Sequence, residues 1–333
     1  MQRVAVVGAG LAGLTCAQTL QAAGCEVVVL EKSRGPGGRL STRRTESAQY
    51  DHGAQYFTVR DPRFASFISE CLQEESVAIW QPKRQEPVGD DTTDHWHVGT
   101  PGMSALGRAQ ARGLTVQTEQ RVMSLERLGT QWQLVIDGGQ TLDGFDMVVV
   151  AVPNAQAVPL LSEHAPHWAA DLDETPMQPC WTVMFSTSEV LTEFDAGSPS
   201  AGAIAWWARN SSKPGRRISA GRHDWVLQAT ANWTTDHLND DKSQVGLALV
   251  QAFGALLGCD VHPIEAPMAH RWLYARRTPG MAPLPEPCWS PELALGVCGD
   301  GLSHSRVEQA YLSGLSLGQT MLSTLSQHKE SHQ

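Results

Sequence analysis

The fold is decided by the stretch Arg3-Val4-Ala5-Val6-Val7-Gly8-Ala9-Gly10-Leu11-Ala12-Gly13, an apolar run to Ala23, and Cys25-Glu26-Val27-Val28-Val29-Leu30-Glu31. Val4 to Val7 form a continuous apolar run, which is typical of a strand buried on both faces. The apolar residues after Gly10 recur at helical spacing, and Val27 to Leu30 read as a second buried strand. The stretch therefore predicts a βαβ unit with Gly-x-Gly-x-x-Gly at its first turn.

Each glycine of this turn has a mechanical role. Gly8 permits the tight turn, Gly10 lets a pyrophosphate approach the backbone, and Gly13 lets the helix pack closely on the sheet. Leu11 and Ala12 open the helix, whose free amide groups and partial positive charge suit a phosphate. Glu31 follows Gly13 by eighteen residues, close to the roughly twenty expected for an acidic residue on the ribose hydroxyls. These features predict a dinucleotide site.

A second glycine cluster indicates that the bound dinucleotide is FAD and not NAD. The segment Glu31-Lys32-Ser33-Arg34-Gly35-Pro36-Gly37-Gly38-Arg39 places a glycine turn and cations directly after the ribose-binding acid. A diphosphate that continues into a flavin passes this way, whereas a nicotinamide dehydrogenase does not need Gly38 and Arg39 there. The arrangement resembles the extended FAD-binding motif of the flavin amine oxidase superfamily and implies contacts from Lys32, Gly38 and Arg39.

Composition limits the partners and the compartment. The net charge of −10 argues against nucleic acid or an anionic membrane as a general partner. The longest strongly apolar run, residues 147 to 152, is far too short to span a bilayer. The seven cysteines form no Cys-x-x-Cys pair, which favours reduced thiols in a cytoplasmic protein. The oligomeric state is not predicted, and no metal site is assigned, because no cysteine or carboxylate near His95 and His97 has the spacing of a metal ligand.

The length of 333 residues suits about two domains. We predict an α/β fold: a Rossmann-type FAD/NAD(P)-binding domain with a second α+β substrate domain built on a mostly antiparallel sheet. The buried strand near residue 147, together with a final strand and helix, returns the chain to the first domain. The predicted ranges are 1–60, 98–165 and 290–333 for the discontinuous FAD-binding domain, and 61–97 and 166–289 for the substrate domain.

The tryptophans concentrate in the second domain, where they either line a cavity for a flat ring or fill the core. Residues 206–217 hold two indoles and four cations. They are read either as a solvated loop or as part of a substrate site that includes Trp207. Residues 81–97 are polar and turn-rich, which predicts a hairpin or loop.

The last segment completes the dinucleotide site. Leu293 to Asp300 reads as a strand ending in Gly299-Asp300, and a helix follows from Arg306 and Val307 to about Leu325. In FAD enzymes of this type the Gly-Asp carboxylate accepts a hydrogen bond from the ribityl chain, and the helix N-terminus faces the flavin pyrimidine. Cys298 lies in a buried strand, so we predict that FAD is bound without a covalent link.

Several motifs resemble those of the bacterial renalases, within the flavin amine oxidase superfamily. They are Gly-Ala-Gly-Leu-Ala-Gly, Lys-Ser-Arg-Gly-x-Gly-Gly-Arg, Gly-Ala-Gln-Tyr-Phe-Thr, Ala-Arg-Asn-x-Ser-Lys-Pro-Gly-Arg, His270-Arg271-Trp272-Leu273-Tyr274-Ala275 and Cys-Gly-Asp. The resemblance implies that Gln55 and Tyr56 lie near the flavin ring and that Val122 meets the adenine through its backbone. It places Phe57, Thr58, Val59, Arg60 and Asp61 on the substrate side, with Arg306 across from them.

The same resemblance implies an oxidase of 2- and 6-dihydro-NAD(P), which returns them to NAD(P)⁺ while O₂ becomes hydrogen peroxide. Oxidising a dihydropyridine needs one hydride delivered to flavin N5 and removes no proton, so no catalytic acid or base is assigned. Two other interpretations stay open. One is an amine oxidase or desaturase acting on a small apolar substrate, and the other is a non-catalytic flavin-binding protein.

Overall fold

The computed structural model describes residues 1–85, 95–217, 219–286 and 288–330. Their strands are β1 (Arg3–Val7), β2 (Glu26–Glu31), β3 (Thr42–Arg44), β4 (Gln49–Asp51), β5 (Val77–Trp80), β6 (Trp96–Gly99), β7 (Thr115–Thr118), β8 (Val122–Leu128), β9 (Gln131–Ile136), β10 (Thr141–Phe145), β11 (Met147–Val150), β12 (Met177–Thr187), β13 (Ala196–Gly197), β14 (Ile204–Arg209), β15 (His223–Ala229), β16 (Met268–Arg277), β17 (Cys288–Ser290) and β18 (Leu295–Val297).

The described residues also form helices. They are α1 (Leu11–Ala22), α2 (Pro62–Gln73), α3 (Ser104–Gln110), α4 (Asn154–Leu161), α5 (Pro166–Asp173), α6 (Ala231–Asp236), α7 (Lys242–Leu257) and α8 (Val307–Glu330). The sequence patterns of residues 61–71 and 242–257 are typical of helices, and α2 and α7 form there. In the part of the chain with described structure, no helix is both long and apolar enough to cross a membrane.

The chain divides into two compact units. The first, here the dinucleotide unit, comprises Met1–Gly38, Gly107–Met177 and Arg276–Gln333, and the second, the substrate unit, comprises Arg39–Leu106 and Gln178–Ala275. These limits differ from the predicted domain ranges, chiefly because residues 39–60 and 98–106 pack within the second unit.

The dinucleotide unit is built on a six-stranded sheet in the order β17-β18-β11-β1-β2-β7. All neighbours pair in parallel except β17 and β18, which are antiparallel. The parallel strands are continuous apolar runs because both of their faces are covered, and the predicted Rossmann-type α/β fold is confirmed. A three-stranded antiparallel sheet, β10-β9-β8, belongs to the same unit.

Small residues let the last helix lie directly on the first. A Cβ added to Gly314 of α8 would lie 2.1 Å from the carbonyl oxygen of Ala12 in α1, and one on Gly318 would lie 2.8 Å from Thr19 Cβ. Glycine at these two positions allows the close approach. The C-terminal segment thereby covers the helix that opens at the glycine turn.

The substrate unit is built on a five-stranded sheet in the order β13-β14-β15-β12-β16. The pairs β13–β14, β14–β15 and β12–β15 are antiparallel, as predicted for this part of the chain. Trp181, Trp207, Trp225 and Phe253 form its apolar core together with aliphatic side chains of the same strands and of α7. The middle of the predicted loop at 81–97, residues 86–94, lies outside the described residues.

Candidate active site

The glycine turn after β1 has the shape that the sequence predicts. Gly8 has φ +107°, and a Cβ there would lie 2.6 Å from the carbonyl oxygen of Ala151. A Cβ on Gly13 would lie 2.1 Å from the carbonyl oxygen of Gly8. Only glycine fits at either position, because the first needs a left-handed backbone and both need a close approach.

Gly10 differs from both of these glycines. No atom lies within 4 Å of the point where its Cβ would stand. It is the N-cap residue of α1, which has no side-chain cap and no acidic residue in its first turn. The amides that open the helix, at Leu11 and Ala12, are therefore available to an anion.

Glu31 ends β2 and is tied to the glycine turn. One carboxylate oxygen accepts a hydrogen bond from the Ala9 amide at 2.9 Å, and the other accepts from the amide and hydroxyl of Ser33 at 2.9 and 2.6 Å. A carboxylate oxygen accepts about two hydrogen bonds, so the oxygen bound to Ala9 keeps capacity for a ribose hydroxyl. The side chain therefore both orders the turn and suits the predicted ribose contact.

The second glycine cluster returns to the first. Gly37 donates its amide to the carbonyl of Ala9 at 2.8 Å, and a Cβ on Gly38 would lie 3.4 Å from Gly10 Cα. Lys32 Nζ donates to Gln156 Oε1 at 2.8 Å, and burial lowers the pKa of Lys32. The two glycine clusters are separate in sequence but lie against each other at the turn after β1. Arg39 begins the substrate unit, where its guanidinium donates to the carbonyl of Ala275 at 3.1 Å.

The Gly-Asp segment lies at the same end of the parallel sheet. Cys298 donates its amide to Val150, Ala151 donates to Val7, and Gly8 donates to Leu30. The carboxyl ends of parallel strands meet at one edge of a sheet, which is where α/β folds bind ligands. Gly299 and Asp300 therefore lie along the edge that carries Gly8 and Glu31.

Three other predicted residues also belong to the dinucleotide unit. Val307 is the first residue of α8, Arg306 directly before it is exposed, and Val122 is the first residue of β8. Their roles toward the adenine, the flavin and the substrate stay predictions.

In the substrate unit, Asp51 is the centre of a buried cluster of charges. It accepts hydrogen bonds from Thr42 Oγ1 at 2.8 Å, from the Met103 amide at 2.9 Å, and from Arg216 Nε at 3.1 Å. Arg216 Nη2 also pairs with it, and Lys213 Nζ lies 3.4 Å away. The side chains of Asp51 and Lys213 are 0% exposed.

These charges set one another's pKa values. Burial alone would raise the pKa of Asp51, but the charges of Arg216 and Lys213 and the hydrogen bond from Met103 lower it to about 2. Burial lowers the pKa of Lys213 to about 8, although Asp51 opposes this shift. Asp51 is therefore ionised at neutral pH and holds two cations inside the unit.

Gln55 is predicted to contact the cofactor, but its side chain forms hydrogen bonds within this cluster. Its Nε2 donates to the carbonyls of Asp51 at 2.6 Å and Gly53 at 3.1 Å, and its Oε1 accepts from Lys213 at 3.1 Å. All of these partners are protein groups. Tyr56, the next residue, is half-buried and stacks on Trp96 with ring centroids 3.9 Å apart.

The predicted substrate residues 57–61 differ in exposure. The ring of Phe57 is buried against Phe64 and His97, which places it in the core of the unit. Thr58 and Val59 are half-buried and Arg60 is exposed. Asp61 is the N-cap of α2, accepts the Arg63 amide at 2.8 Å, and has its pKa lowered by the Arg63 guanidinium. Because its ring is buried, Phe57 does not line a substrate surface, contrary to the prediction.

The expectation for residues 206–217 needs two corrections. The segment is not a solvated loop: it begins as β14, and the side chains of Lys213 and Arg216 are buried. Trp207 is 0% exposed and packs on Trp225 and Phe253 in the core, so it does not line a substrate site. Neighbouring residues of a strand point to opposite faces, and Trp206 instead contacts Tyr56 and Trp96.

Sequence reasoning missed the charge cluster although its members stand in the motifs. Asp51 precedes Gly-Ala-Gln-Tyr-Phe-Thr, and Lys213 and Arg216 belong to Ala-Arg-Asn-x-Ser-Lys-Pro-Gly-Arg. The available signal was an unpaired acid in one motif and several cations in another. Charged residues are seldom buried unless they are paired.

The residues at the edge of the parallel sheet fit FAD. Open space at Gly10, an uncapped helix N-terminus and a buried Glu31 match the pyrophosphate and ribose of an adenine dinucleotide. Gly38 lies against Gly10, so the second glycine cluster belongs to the same cradle. The buried thiol of Cys298 has a pKa raised well above its usual value, which suits packing and not covalent attachment.

Comparison with known proteins supports this description. A family model for NAD(P)-binding Rossmann-like domains matches residues 6–71, and one for flavin containing amine oxidoreductases matches residues 88–322. Over 71 residues the chain is 44% identical to hydroxyneurosporene desaturase of Cereibacter sphaeroides, covering 21% of this chain and 14% of that protein. Over 97 residues it is 33% identical to putrescine oxidase of Kocuria rosea, covering 29% of this chain and 20% of the oxidase. The matched part is thus a small share of these relatives.

Solved structures resemble the chain along almost its whole length. An oxidoreductase from Methanosarcina mazei has a TM-score of 0.70 at 16% identity, covering 96% of this chain and 100% of that one. Putrescine oxidase bound to putrescine has a TM-score of 0.68 at 13% identity, covering 97% and 99%. Identities this low establish a shared fold and nothing about the substrate.

Proposed function

Since this chain belongs to the flavin-containing amine oxidoreductase family, we propose that it is a renalase-like, FAD-dependent oxidase of 2- and 6-dihydro-NAD(P). In this proposal each isomer is returned to NAD(P)⁺, and O₂ is reduced to hydrogen peroxide. The partners are a small dihydronicotinamide dinucleotide and O₂.

One observation carries the proposal: in the substrate unit, two of the motifs that resemble the renalases contact the residues directly before a third, Gly-Ala-Gln-Tyr-Phe-Thr. The Asp51 amide donates to Asn210 Oδ1 at 3.2 Å, and Arg216 donates to the Asp51 carboxylate. In the motif His270-Arg271-Trp272-Leu273-Tyr274-Ala275, Trp272 Nε1 donates to the carbonyl of His52 at 2.8 Å. Motifs that are distant in sequence thus support a single segment, residues 51–57, and this favours a shared role for them.

The proposed reaction balances without an acid or base from the protein. The dihydropyridine gives up a hydride, which is one hydrogen with two electrons, and becomes an aromatic cation. Together with one proton from solvent, these electrons convert O₂ to hydrogen peroxide. FAD, when bound, supplies the hydride acceptor and transfers the electrons to O₂.

The protein's contribution is to bind the dinucleotide and orient its ring. Thr58, Val59, Arg60 and Asp61 are the proposed contacts in the substrate unit, and Arg306 is the proposed contact in the dinucleotide unit. Arg60 and Arg306 are exposed cations that suit a carboxamide or diphosphate.

An amine oxidase or desaturase acting on a small apolar substrate is the second candidate. It is favoured by the description of the matching family and by the relatives, which are named a desaturase and a putrescine oxidase. Both candidates need the same FAD site, so the substrate that reduces the flavin separates them.

Anaerobic stopped-flow measurement at the oxidised flavin absorption band tests the proposal. We expect rapid bleaching by the 2- and 6-dihydro isomers and slow bleaching by 4-dihydro-NAD(P)H and by amines. A pocket that sets position 2 or 6 of the ring at the hydride acceptor holds position 4 out of reach, and a displacement of about 1 Å can cost on the order of a hundredfold in rate.

Two variants make the test specific. Arg60→Ala should slow reduction by the isomers while FAD stays bound. Lys83→Ala is the matched control, because Lys83 is an exposed cation of the same unit and pairs with Glu193 at the surface. Fast bleaching by an amine, with none by the isomers, would establish the second candidate. No bleaching by either class would indicate a flavin-binding protein without catalysis.

A further inference from the structure

The first residue of α4, Asn154, follows the strand β11 and is buried, with 3% of its surface exposed. Its Nδ2 donates to two carbonyl oxygens, that of Thr175 at 3.1 Å and that of Gly301 at 3.2 Å. The first carbonyl lies just beyond α5, and the second lies in the Gly-Asp segment after β18. One buried amide therefore connects three parts of the dinucleotide unit.

The oxygen of the Asn154 side-chain amide also lies close to Gly301. A Cβ on Gly301 would lie 2.1 Å from Asn154 Oδ1, so the glycine packs directly against this side chain. Residue 301 must therefore be glycine for Asn154 to occupy its place. The two residues form a matched pair.

The beginning of the same turn is held by a second side chain. The Gly299 amide donates to Ser313 Oγ of α8 at 3.0 Å, and Gly299 has φ +154°. Asp300 stands between these two anchored glycines and is mostly buried, with 8% of its surface exposed. A side chain whose two neighbours are both held has few directions open to it.

We propose that Asn154 is a positioning residue for the cofactor: it holds the Gly299–Gly301 turn so that the Asp300 carboxylate is directed at a hydroxyl-bearing chain of FAD. This rests on the FAD site at the edge of the parallel sheet and not on the identity of the substrate. A carboxylate held in place binds a hydroxyl without first losing its own conformational freedom.

The C-terminal end of α4 provides a natural comparison. Ser162, the residue that follows the helix, donates a hydrogen bond from its hydroxyl to the carbonyl of Val158 through an exposed contact of 2.6 Å. This hydrogen bond is made between the last turn of the helix and its C-cap. Ser162→Ala is therefore the control for effects that act through the helix alone.

The experiment measures the dissociation constant of FAD from the full-length apoprotein by titration, with thermal unfolding of the apoprotein recorded in parallel. Asn154→Ala should raise the dissociation constant about tenfold, as expected when a hydrogen bond that orders the site is lost. Ser162→Ala should change it less than about twofold, since an exposed hydrogen bond contributes little.

Asn154→Asp separates a donor role from simple space filling. Aspartate has the shape of asparagine but places a carboxylate against two carbonyl oxygens, so its effect should exceed that of alanine. Lowering the pH should recover part of the FAD affinity of this variant, because a protonated carboxyl can donate to one of the two carbonyls. A merely structural loss of volume would not follow pH in this way.

Gly301→Ala approaches the same contact from its other partner and leaves every polar group of Asn154 in place. It should weaken FAD binding by a factor similar to that for Asn154→Ala. The inference is overturned if the wild type binds FAD and both variants bind it within about twofold of the wild type, whatever their thermal stability. A wild-type apoprotein that takes up no FAD would instead overturn the FAD site itself.

Discussion

The two units hold their functional segments by different means. In the dinucleotide unit the turn after β1 is built from glycines and backbone amides, with Glu31 as its main charged group. In the substrate unit, segment 51–57 is held by fully buried charges, and the Asp51–Arg216 pair joins residues 165 positions apart. The first arrangement depends on close backbone approach, and the second depends on paired charges that are costly to leave unpaired.

The largest effect is expected from removing the charge at the centre of the substrate unit. Asp51→Asn leaves Lys213 and Arg216 buried without an anionic partner, which should lower the free energy of unfolding by about 3–5 kcal/mol. Urea unfolding of the apoprotein, followed by far-UV circular dichroism, measures this change.

A matched variant in the same unit should respond far less. Glu193 pairs with Lys83 at the surface, where the side chains are 67% and 56% exposed. Glu193→Gln should therefore lower stability by less than about 1 kcal/mol. Equal effects of the two substitutions would contradict the distinction between buried and exposed pairs.

A smaller effect, measured on cofactor binding, is expected in the dinucleotide unit. Glu31→Ala removes the acceptor of the Ala9 amide and the predicted ribose contact, so FAD binding should weaken by about 1.5–3 kcal/mol. Glu26, at the other end of β2, pairs with Arg3 in an exposed contact of 3.2 Å. Glu26→Ala should leave the dissociation constant unchanged, and an unchanged constant for Glu31→Ala would remove Glu31 from the site.

The last effect concerns the acid sensitivity of the substrate unit and depends on pH. Burial first, and then the neighbouring His270 and Arg43, lower the pKa of His52 to about 3, although Asp51 opposes the shift. The unfolded chain, with a pKa near 6.5, therefore binds more protons than the folded protein between these two values. Stability should fall as the pH is lowered from 6.5, by at most about 1.4 kcal/mol per pH unit from this group.

His52→Phe tests this dependence while keeping an aromatic ring against Trp272, where the two rings stack at 5.4 Å. Urea unfolding at pH 7 and pH 5 should show a smaller loss of stability in the variant than in the wild type. The same loss in both proteins would mean that His52 does not contribute to the fall in stability at low pH.

Sequence reasoning succeeded for the elements that a local pattern of residues encodes. The helices at residues 62–73 and 242–257 and the strands of the parallel sheet were predictable because each is a local periodic or continuous apolar pattern. Trp207 is predicted at a substrate surface because aromatic residues suit planar ligands, and Phe57 is predicted there from the resemblance to the renalases. The same side chains suit a core equally well, and composition does not distinguish the two.

The sequence by itself determined the βαβ unit, the glycine turn and the acid that ends the second strand, because their physical requirements act over a few neighbouring residues. Only the tertiary structure decided which of two adjacent tryptophans enters the core, that Gln55 bonds within the protein, and that Asp51 meets Lys213 and Arg216. It also decided that Asn154 meets Gly301. Such pairings depend on chain segments that are distant in sequence and become neighbours only when the sheets close over their cores, so no local pattern encodes them.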